Sequence, residues 1–536
     1  MARVRRSLVV DGTGLERLLR PRTGLATEHS VHADEHGDNG HRVASFGDVD
    51  GPFDRYQRTV EANAVEGEPD RFHVEEVTDF HIAVPIWGVL FVPLFKRTLR
   101  RPTHAPIDPA HPSPAEATVE RLPFWAPPDR LDARSATVLG LLCSVAVVVG
   151  YLGTVITQTI TFAASQFGSS DASQGFTLAA VRAGVLGSVA LVALADRKGR
   201  RKLLVGSAAA GCLTCVLGAV STSLWTLGIS QAVSRGFATT AIILLTVIAA
   251  EEMPAGARAY AVGVMTLTGA LGAGMAVWAL PLADLGPGGW RILYVLPLVY
   301  LPLLLHVWRR LPESRRFAVP HVESKVATHI SRLRLLAVTF FLTSVFSQPA
   351  SQLQNEFLRS ERGFAAARIS LFTLATGTPG FFGIVIGGRL SDTRGRRVVA
   401  AVAVVGGALG TVASYLSHGW PMWAWGVASV MVGAAAVPTL GVFGPELFPT
   451  SLRGKANGII QLIAVAGSSV GLIAAGAMSD HIGLGRAMAV LLVAPFLVGG
   501  LLLVAYPETA SIELEVLNPE DEHARIEPAV RPGAST

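Results

Sequence analysis

The sequence predicts an all-α membrane protein, with twelve transmembrane helices in two pseudo-symmetric six-helix bundles. Three observations lead there. Half of the 536 residues are hydrophobic and only 16% are charged, with a mean hydropathy of +0.44, far from the composition of a soluble domain. From about Thr137 to Tyr506 the chain is a series of apolar stretches of roughly 18–25 residues, enough for a helix to cross about 30 Å of hydrocarbon. The chain also repeats itself. Asp196-Arg197-Lys198-Gly199-Arg200-Arg201 returns as Asp392-Thr393-Arg394-Gly395-Arg396-Arg397, an offset of 392 − 196 = 196 residues. Glu251-x-x-Pro254-x-x-x-Arg258 returns as Glu446-x-x-Pro449-x-x-x-Arg453 at an offset of 195. Pro312-Glu313-Ser314 returns as Pro507-Glu508-Thr509, and Arg291 as Arg486, also at 195. Landmarks in one order at one spacing mark a duplicated membrane unit.

Spans are expected at about 137–163, 176–195, 203–222, 226–250, 259–283, 290–308, 335–358, 369–390, 398–417, 421–445, 457–480 and 486–506. Lys and Arg crowd residues 197–202, 309–316, 394–397 and 453–455, while loops such as Gly168–Gly175 and Asp284–Gly289 are poor in them. The excess of basic residues places both motif pairs, the 309–334 linker, the 507–536 tail and both termini in the cytoplasm of an inner-membrane protein. Arg359, Arg362 and Arg368 run against that rule, with Glu361 offsetting part of the charge.

Residues 1–130 read as a cytoplasmic extension, polar and disordered through about Arg71. Arg3, Arg5 and Arg6 are followed by no apolar run or cleavage site before Glu16, so no signal peptide is expected. Ile82–Phe95 is an apolar run of 14 residues containing Pro85 and Pro93, with Lys96, Arg97, Arg100 and Arg101 behind it. It is short for a span, and an interfacial or re-entrant segment is preferred over a thirteenth crossing. His29, His32, His36 and His41, among Asp34, Glu35 and Asp38, are irregularly spaced and suit a solvated tail better than a metal site. Cys143, Cys212 and Cys215 all lie in apolar stretches, where Cys212-x-x-Cys215 reads as helix packing.

Gly388-Arg389-Leu390-Ser391-Asp392-Thr393-Arg394-Gly395-Arg396-Arg397 follows a Gly-x-Leu-x-Asp-x-x-Gly-Arg-Arg loop throughout, and the first copy departs only where Val192 replaces glycine. With Glu446-Leu447-Phe448-Pro449, Gly289-Trp290-Arg291 and Pro312-Glu313-Ser314-Arg315, these motifs resemble a major facilitator superfamily transporter. They are most similar to the sugar-porter branch and its metabolite-transporting relatives, over residues 137–510. The resemblance implies alternating access and an MFS fold.

Residue chemistry suggests how such a protein would close. Each motif aspartate ends a span, where it can receive another helix's positive dipole and an arginine. Gly388 permits close helix approach. Arg396 and Arg453 are expected to reach Glu446 and Asp392, and Arg200 and Arg258 to reach Glu251 and Asp196, guanidinium matching carboxylate. The expectation is a charge latch across the cytoplasmic ends; the alternative is that these charges enforce topology alone.

Ionisable residues within spans are the substrate candidates. Arg182 and Arg235 lie 14 and 16 residues before Asp196 and Glu251, on the outer side. Gln348, Gln352, Asn355 and Glu356 belong to a polar segment broken by Pro349. The resemblance to proton-coupled sugar porters implies an aspartate after the first-span tyrosine, but Leu152 follows Tyr151, removing the partner expected for Arg235. Thr266 stands where the family's fifth-span glutamine is expected, while its repeat position holds Gln461. Gln348 and Asn355 match the seventh-span sugar-binding residues only loosely. The reading leans to a small organic anion as substrate, with sugar–proton symport and multidrug efflux as alternatives, the latter drawing on Phe340, Phe341, Phe346, Phe381 and Phe382. Protons are the candidate coupling ion, with Glu356 as carrier, and facilitated diffusion stays open. A non-transporting membrane sensor is the reading from another class. No enzyme, cofactor, metal site or nucleic-acid partner is expected.

Overall fold

The structure, a computed structural model, describes residues 1–22, 25–36, 41–65, 68, 70–100, 125–168, 177, 180–182, 184–315, 326–354, 357–358, 361–364 and 366–521. The chain forms two compact units, Met1–Leu141 and Leu142–Thr536.

The first unit corrects the expectation of disorder. It is a five-stranded antiparallel sheet, β1 (Ala2–Asp11), β2 (Thr27–His36), β3 (Arg42–Asp50), β4 (Phe53–Ala64) and β5 (Arg71–Ile82), in the order β1-β5-β4-β3-β2. Helix α1 (Gly12–Leu18) follows β1, and Asp11 caps it by accepting from the Gly14 N–H at 2.7 Å. That bond holds the Asp11 carboxyl below its ordinary range. In β5 the side chains alternate: Val74, Glu76, Thr78, Phe80 and Ile82 are buried, while His73 and His81 are exposed.

The inner face carries charge as well as apolar groups, which is why composition alone reads as disorder. Arg58, fully buried, donates to Glu28 at 2.6 Å and to the carbonyls of Leu18 and Arg20, with Phe46 against its guanidinium at 4.0 Å. Tyr56 donates to the same Glu28 at 2.6 Å, and burial pushes its phenol up. Arg22 meets the buried Glu76 at 2.8 Å. Buried ions are tolerated because each is paired. The histidines expected in a solvated tail lie instead on the strands: His29, His32 and His36 on β2, with His41 just before β3. Among the described residues no cluster of His, Cys, Asp or Glu is placed to hold a metal.

Residues 82–95 end β5 and enter helix α2 (Gly88–Leu99). Its Phe95 packs on Phe53 and Phe80, at 5.4 and 6.4 Å between ring centres.

In the second unit, which continues the first-span helix Ala133–Phe167, the architecture is helical. Among the described residues eleven helices are long and apolar enough to cross a membrane. They are Ala133–Ile160, Arg200–Val220, Leu224–Glu252, Ala255–Ala283, Trp290–Arg310, Ile330–Gln352, Leu371–Arg394, Arg396–Leu416, Gly419–Glu446, Arg453–Ser479 and Leu484–Val504. Ala180–Ala195 is a shorter apolar helix in the second position. Numbered in chain order, these twelve fall within a turn or two of the expected spans. Small residues set the helix approach: a Cβ on Gly272 of the fifth span would collide with the Val147 carbonyl of the first at 1.9 Å. Its repeat partner Gly467 meets the Phe341 carbonyl of the seventh at 2.4 Å. Cys143, Cys212 and Cys215 are buried and free.

Candidate functional site

The motif loops build a buried charge cluster. At each of the two repeats, Gly199 and Gly395 adopt φ 103° and ψ 138°, a backbone conformation that favours glycine and breaks one span from the next. The next helix then starts at Arg200 or Arg396, with its first N–H groups lacking helical partners. Glu313 and Glu508 supply them. Glu313 Oε1 accepts from the N–H of Arg200 and Arg201 at 2.9 and 3.0 Å. Glu508 accepts from the N–H of Arg396 and Arg397 at 2.8 and 3.4 Å. The repeat of Pro-Glu-Ser/Thr is legible in the sequence, but its role at a helix start more than a hundred residues away is not.

Within each half the first motif arginine pairs with that half's glutamate: Arg200 with Glu251, and Arg396 with Glu446. The loop arginines do something else. Arg258 pairs with Glu446 at 3.2 Å, and Arg453 with Glu251 at 2.5 Å, so both cross to the opposite half. This corrects the expected pairing of Arg453 with Asp392. Each glutamate therefore holds one arginine from its own half and one from the other, and all six side chains are fully buried. Ser314 donates to Glu251 at 2.5 Å, and Arg396 donates to Thr509 at 3.1 Å, bringing the Pro-Glu-Ser/Thr motifs into the same cluster.

Asp392 crosses as well. It accepts from the backbone N–H of Ala259 and Tyr260 at 3.3 and 3.0 Å, and from Arg396 at 2.9 Å. Those two amides open the fifth-span helix, whose own N-cap Ala257 has no side chain to cap with. An aspartate of one half thus caps a helix of the other. Two backbone acceptors add cross-links: Arg396 donates to the Ala255 carbonyl at 3.1 Å, and Arg200 to that of Thr450 at 2.5 Å. The side chain of Asp196 lies outside the described residues.

A segment after the last span joins this cluster, which sequence reasoning missed because it has no repeat copy. Asp521 accepts from Thr450 Oγ1 at 2.9 Å and pairs with Arg453 at 3.2 Å, while Arg258 donates to the Ile512 carbonyl at 3.0 Å. Asn518 donates to the Glu446 carbonyl at 2.8 Å and accepts from Arg332 at 2.9 Å.

The substrate candidates lie elsewhere. Half-buried Arg235, on the fourth span, donates to the Gly153 carbonyl of the first span at 2.9 Å, beside buried Leu152. Arg182 is its electrostatic neighbour. Among the described residues neither arginine pairs with a carboxylate. Gln352 donates to Gln348 at 2.8 Å, one turn apart on the seventh span, with Pro349 between them. Gln461 is exposed and Thr266 back-bonds to the Val262 carbonyl. The structure does not bond Gln348, Gln352 or Gln461 to either arginine. Asn355 and Glu356 lie outside the described residues. Of the aromatics, Phe346 is in the core, while Phe381 and Phe382 are more than half exposed on the helix exterior.

A sequence model of the Major Facilitator Superfamily matches residues 140–354 and 335–532. The chain belongs to this superfamily. It is 28% identical to a probable 4-methylmuconolactone transporter of Cupriavidus pinatubonensis, over 67% of this chain and 89% of that one. It is 25% identical to a gallate transporter of Pseudomonas putida, over 57% of this chain and 78% of that one. The fold is similar to that of a proton:xylose symporter (TM-score 0.59, 18% identity, 72% of this chain and 99% of the other). It is likewise similar to a human organic anion transporter (TM-score 0.57, 14% identity, 68% and 98%). The protein is a multi-pass transmembrane transporter of the Major Facilitator Superfamily.

Proposed function

We propose that this transporter carries a small organic anion by alternating access, and that Arg235, with Arg182 beside it, receives the substrate's carboxylate. The observation that carries this reading is the bonding of Arg235. A half-buried guanidinium whose one partner among the described residues is a neutral backbone carbonyl, with a second cation near, is under-compensated. An anion satisfies both charges at once, through the bidentate geometry that guanidinium favours. Leu152 matters in the same way: a carboxylate in its place would neutralise Arg235 permanently and exclude an anionic ligand. The relatives fit, since 4-methylmuconolactone and gallate are the substrates named for the two curated transporters.

In this reading the motif side is cytoplasmic, both termini lie inside and the protein resides in the inner membrane, as the basic loops suggest. The buried ion cluster is the cytoplasmic gate in its closed form, so the substrate site faces outward. Glu356 remains the candidate proton carrier for coupled uptake.

Uptake into proteoliposomes tests the assignment. Arg235→Ala should abolish uptake of aromatic and lactone carboxylates, while Arg235→Lys should retain part of it with a raised KM. Unchanged uptake of every anion tried in Arg235→Ala would sink the proposal.

A further inference from the structure

Helix α2 has two apolar faces, and only one is used. Phe91, Val92, Phe95 and Leu99 turn towards the sheet and join the core around Phe53, Phe80 and Ile82. On the other side Ile86, Val89, Leu90 and Leu94 are 52%, 79%, 67% and 38% exposed. Val89, Leu90 and Leu94 share one side of the helix, and Ile86 lies in the turn just before it. A surface helix covering a soluble domain would put polar residues there. Three large aliphatic side chains on an outer helix face, with Ile86 exposed in the turn before them, mark an interaction surface.

Where this helix begins is fixed by the first span. Thr137, in the opening turns of the Ala133–Phe167 helix, donates to the Ala83 carbonyl at 2.9 Å. Gly140, one turn further on, lies so close that a Cβ there would meet Val84 and Pro85 at 3.0 and 3.2 Å. Residues 83–85 are therefore held at the depth where the chain enters the hydrocarbon. A left-handed turn at Ile86 (φ 67°) then redirects the chain into α2. The helix has 12 residues, about 18 Å, too short to cross the membrane. At its far end Lys96 and Arg97 occupy the last turn and Arg100 follows. Aliphatic groups at the point of membrane entry with a cationic cluster behind them match the two components of an acidic lipid surface.

We infer that α2 docks into the headgroup–acyl boundary of an anionic lipid surface, with Val89 and Leu90 immersed and Lys96, Arg97 and Arg100 on the phosphates. The occupant is the same membrane the spans cross. The helix thereby couples the N-terminal sheet unit to the lipid charge of the leaflet at that entry point.

The test uses the full chain in lipid nanodiscs, with a nitroxide placed by Leu90→Cys and, as a water-facing control, by Gln57→Cys on the exposed face of β4. The native cysteines are buried and stay unlabelled. Power-saturation measurements should give severalfold higher accessibility to oxygen relative to a water-soluble nickel chelate at position 90 than at 57. That ratio should rise when phosphatidylglycerol replaces phosphatidylcholine, and the rise should vanish in Lys96→Gln/Arg97→Gln/Arg100→Gln. Equal nickel accessibility at both positions would overturn the inference. So would spin–spin broadening at position 90 that disappears on dilution with unlabelled protein, which would mean that a second copy covers the stripe.

Discussion

The two seams that close the motif side are built on the same plan but not to the same tightness. One joins the eighth span to the start of the fifth; the other joins the second span to the eleventh. In the first, Gly388 lies against the backbone of the opposite half, where a Cβ would stand 3.1 Å from the Ala259 carbonyl and 3.2 Å from the Tyr260 Cα. That closeness lets Asp392, one turn on, reach the amides of Ala259 and Tyr260. In the second seam, Val192 occupies the matching place and is fully buried, and Gly458 of the eleventh span would place a Cβ at 3.4 Å from Val189, an ordinary contact. At the matching position one seam has a glycine pressed on backbone and the other a buried valine side chain. A duplicated unit has kept its ion pairs at both sites and specialised its packing at one.

The comparison can be broken most forcefully at the arginines, because there the two seams are alike. Among the described residues, Arg453→Ala leaves Glu251 with Arg200 as its one guanidinium partner, and Arg258→Ala leaves Glu446 with Arg396 as its one. Removing one partner of a buried pair costs about 3–5 kcal/mol, so either variant should open the motif side. The measurement is maleimide labelling of a cysteine introduced by Ala255→Cys, buried in the closed form. Slow labelling in both variants would mean that the crossed pairs do not hold the gate.

A smaller and asymmetric effect is expected at the glycine. Gly388→Val forces a branched side chain against the Ala259 carbonyl, at an overpacking cost of about 1–3 kcal/mol, and should reduce transport while the protein still reaches the membrane. Val192→Gly removes a buried side chain without touching the backbone seam, and should lower thermal stability more than it lowers transport. Equal transport losses would erase the distinction between the seams.

The smallest effect belongs to the cap. Asp392→Asn keeps a hydrogen-bond acceptor for the fifth-span amides but loses the charge that meets Arg396 and the helix dipole, at about 1 kcal/mol. Initial transport rates in proteoliposomes should fall severalfold. A full rate at normal expression would remove Asp392 from the gate.

What the sequence reveals and what it hides follows from physics at particular residues. The spans are legible because crossing hydrocarbon demands long apolar runs, and the motifs are legible because they occur twice. Partner choice is not. Arg258 and Arg453 each follow their own half's glutamate at the same short spacing, and only three dimensions show that they pair with the glutamate of the opposite half. The sheet of residues 2–82 is hidden by its charges: Arg58, Glu28 and Glu76 face inward where an alternating strand should be apolar, and only their mutual pairing makes that burial tolerable. Phe72, Val74, Thr78, Phe80 and Ile82 did carry a period of two that could have announced β5. The segment around Asp521 left no trace, being polar, unrepeated and beyond the last span.

That last segment sets a practical boundary for anyone handling the protein. Arg258 from one half and Arg453 from the other both end on it, at Ile512 and Asp521, and Arg332 reaches Asn518 between them. A purification tag or fluorescent fusion appended after residue 536 leaves those ten residues in place, whereas a truncation at Ser511 would strip three arginines of ligands at a stroke. A shortened version made for convenience would then be a different machine at rest.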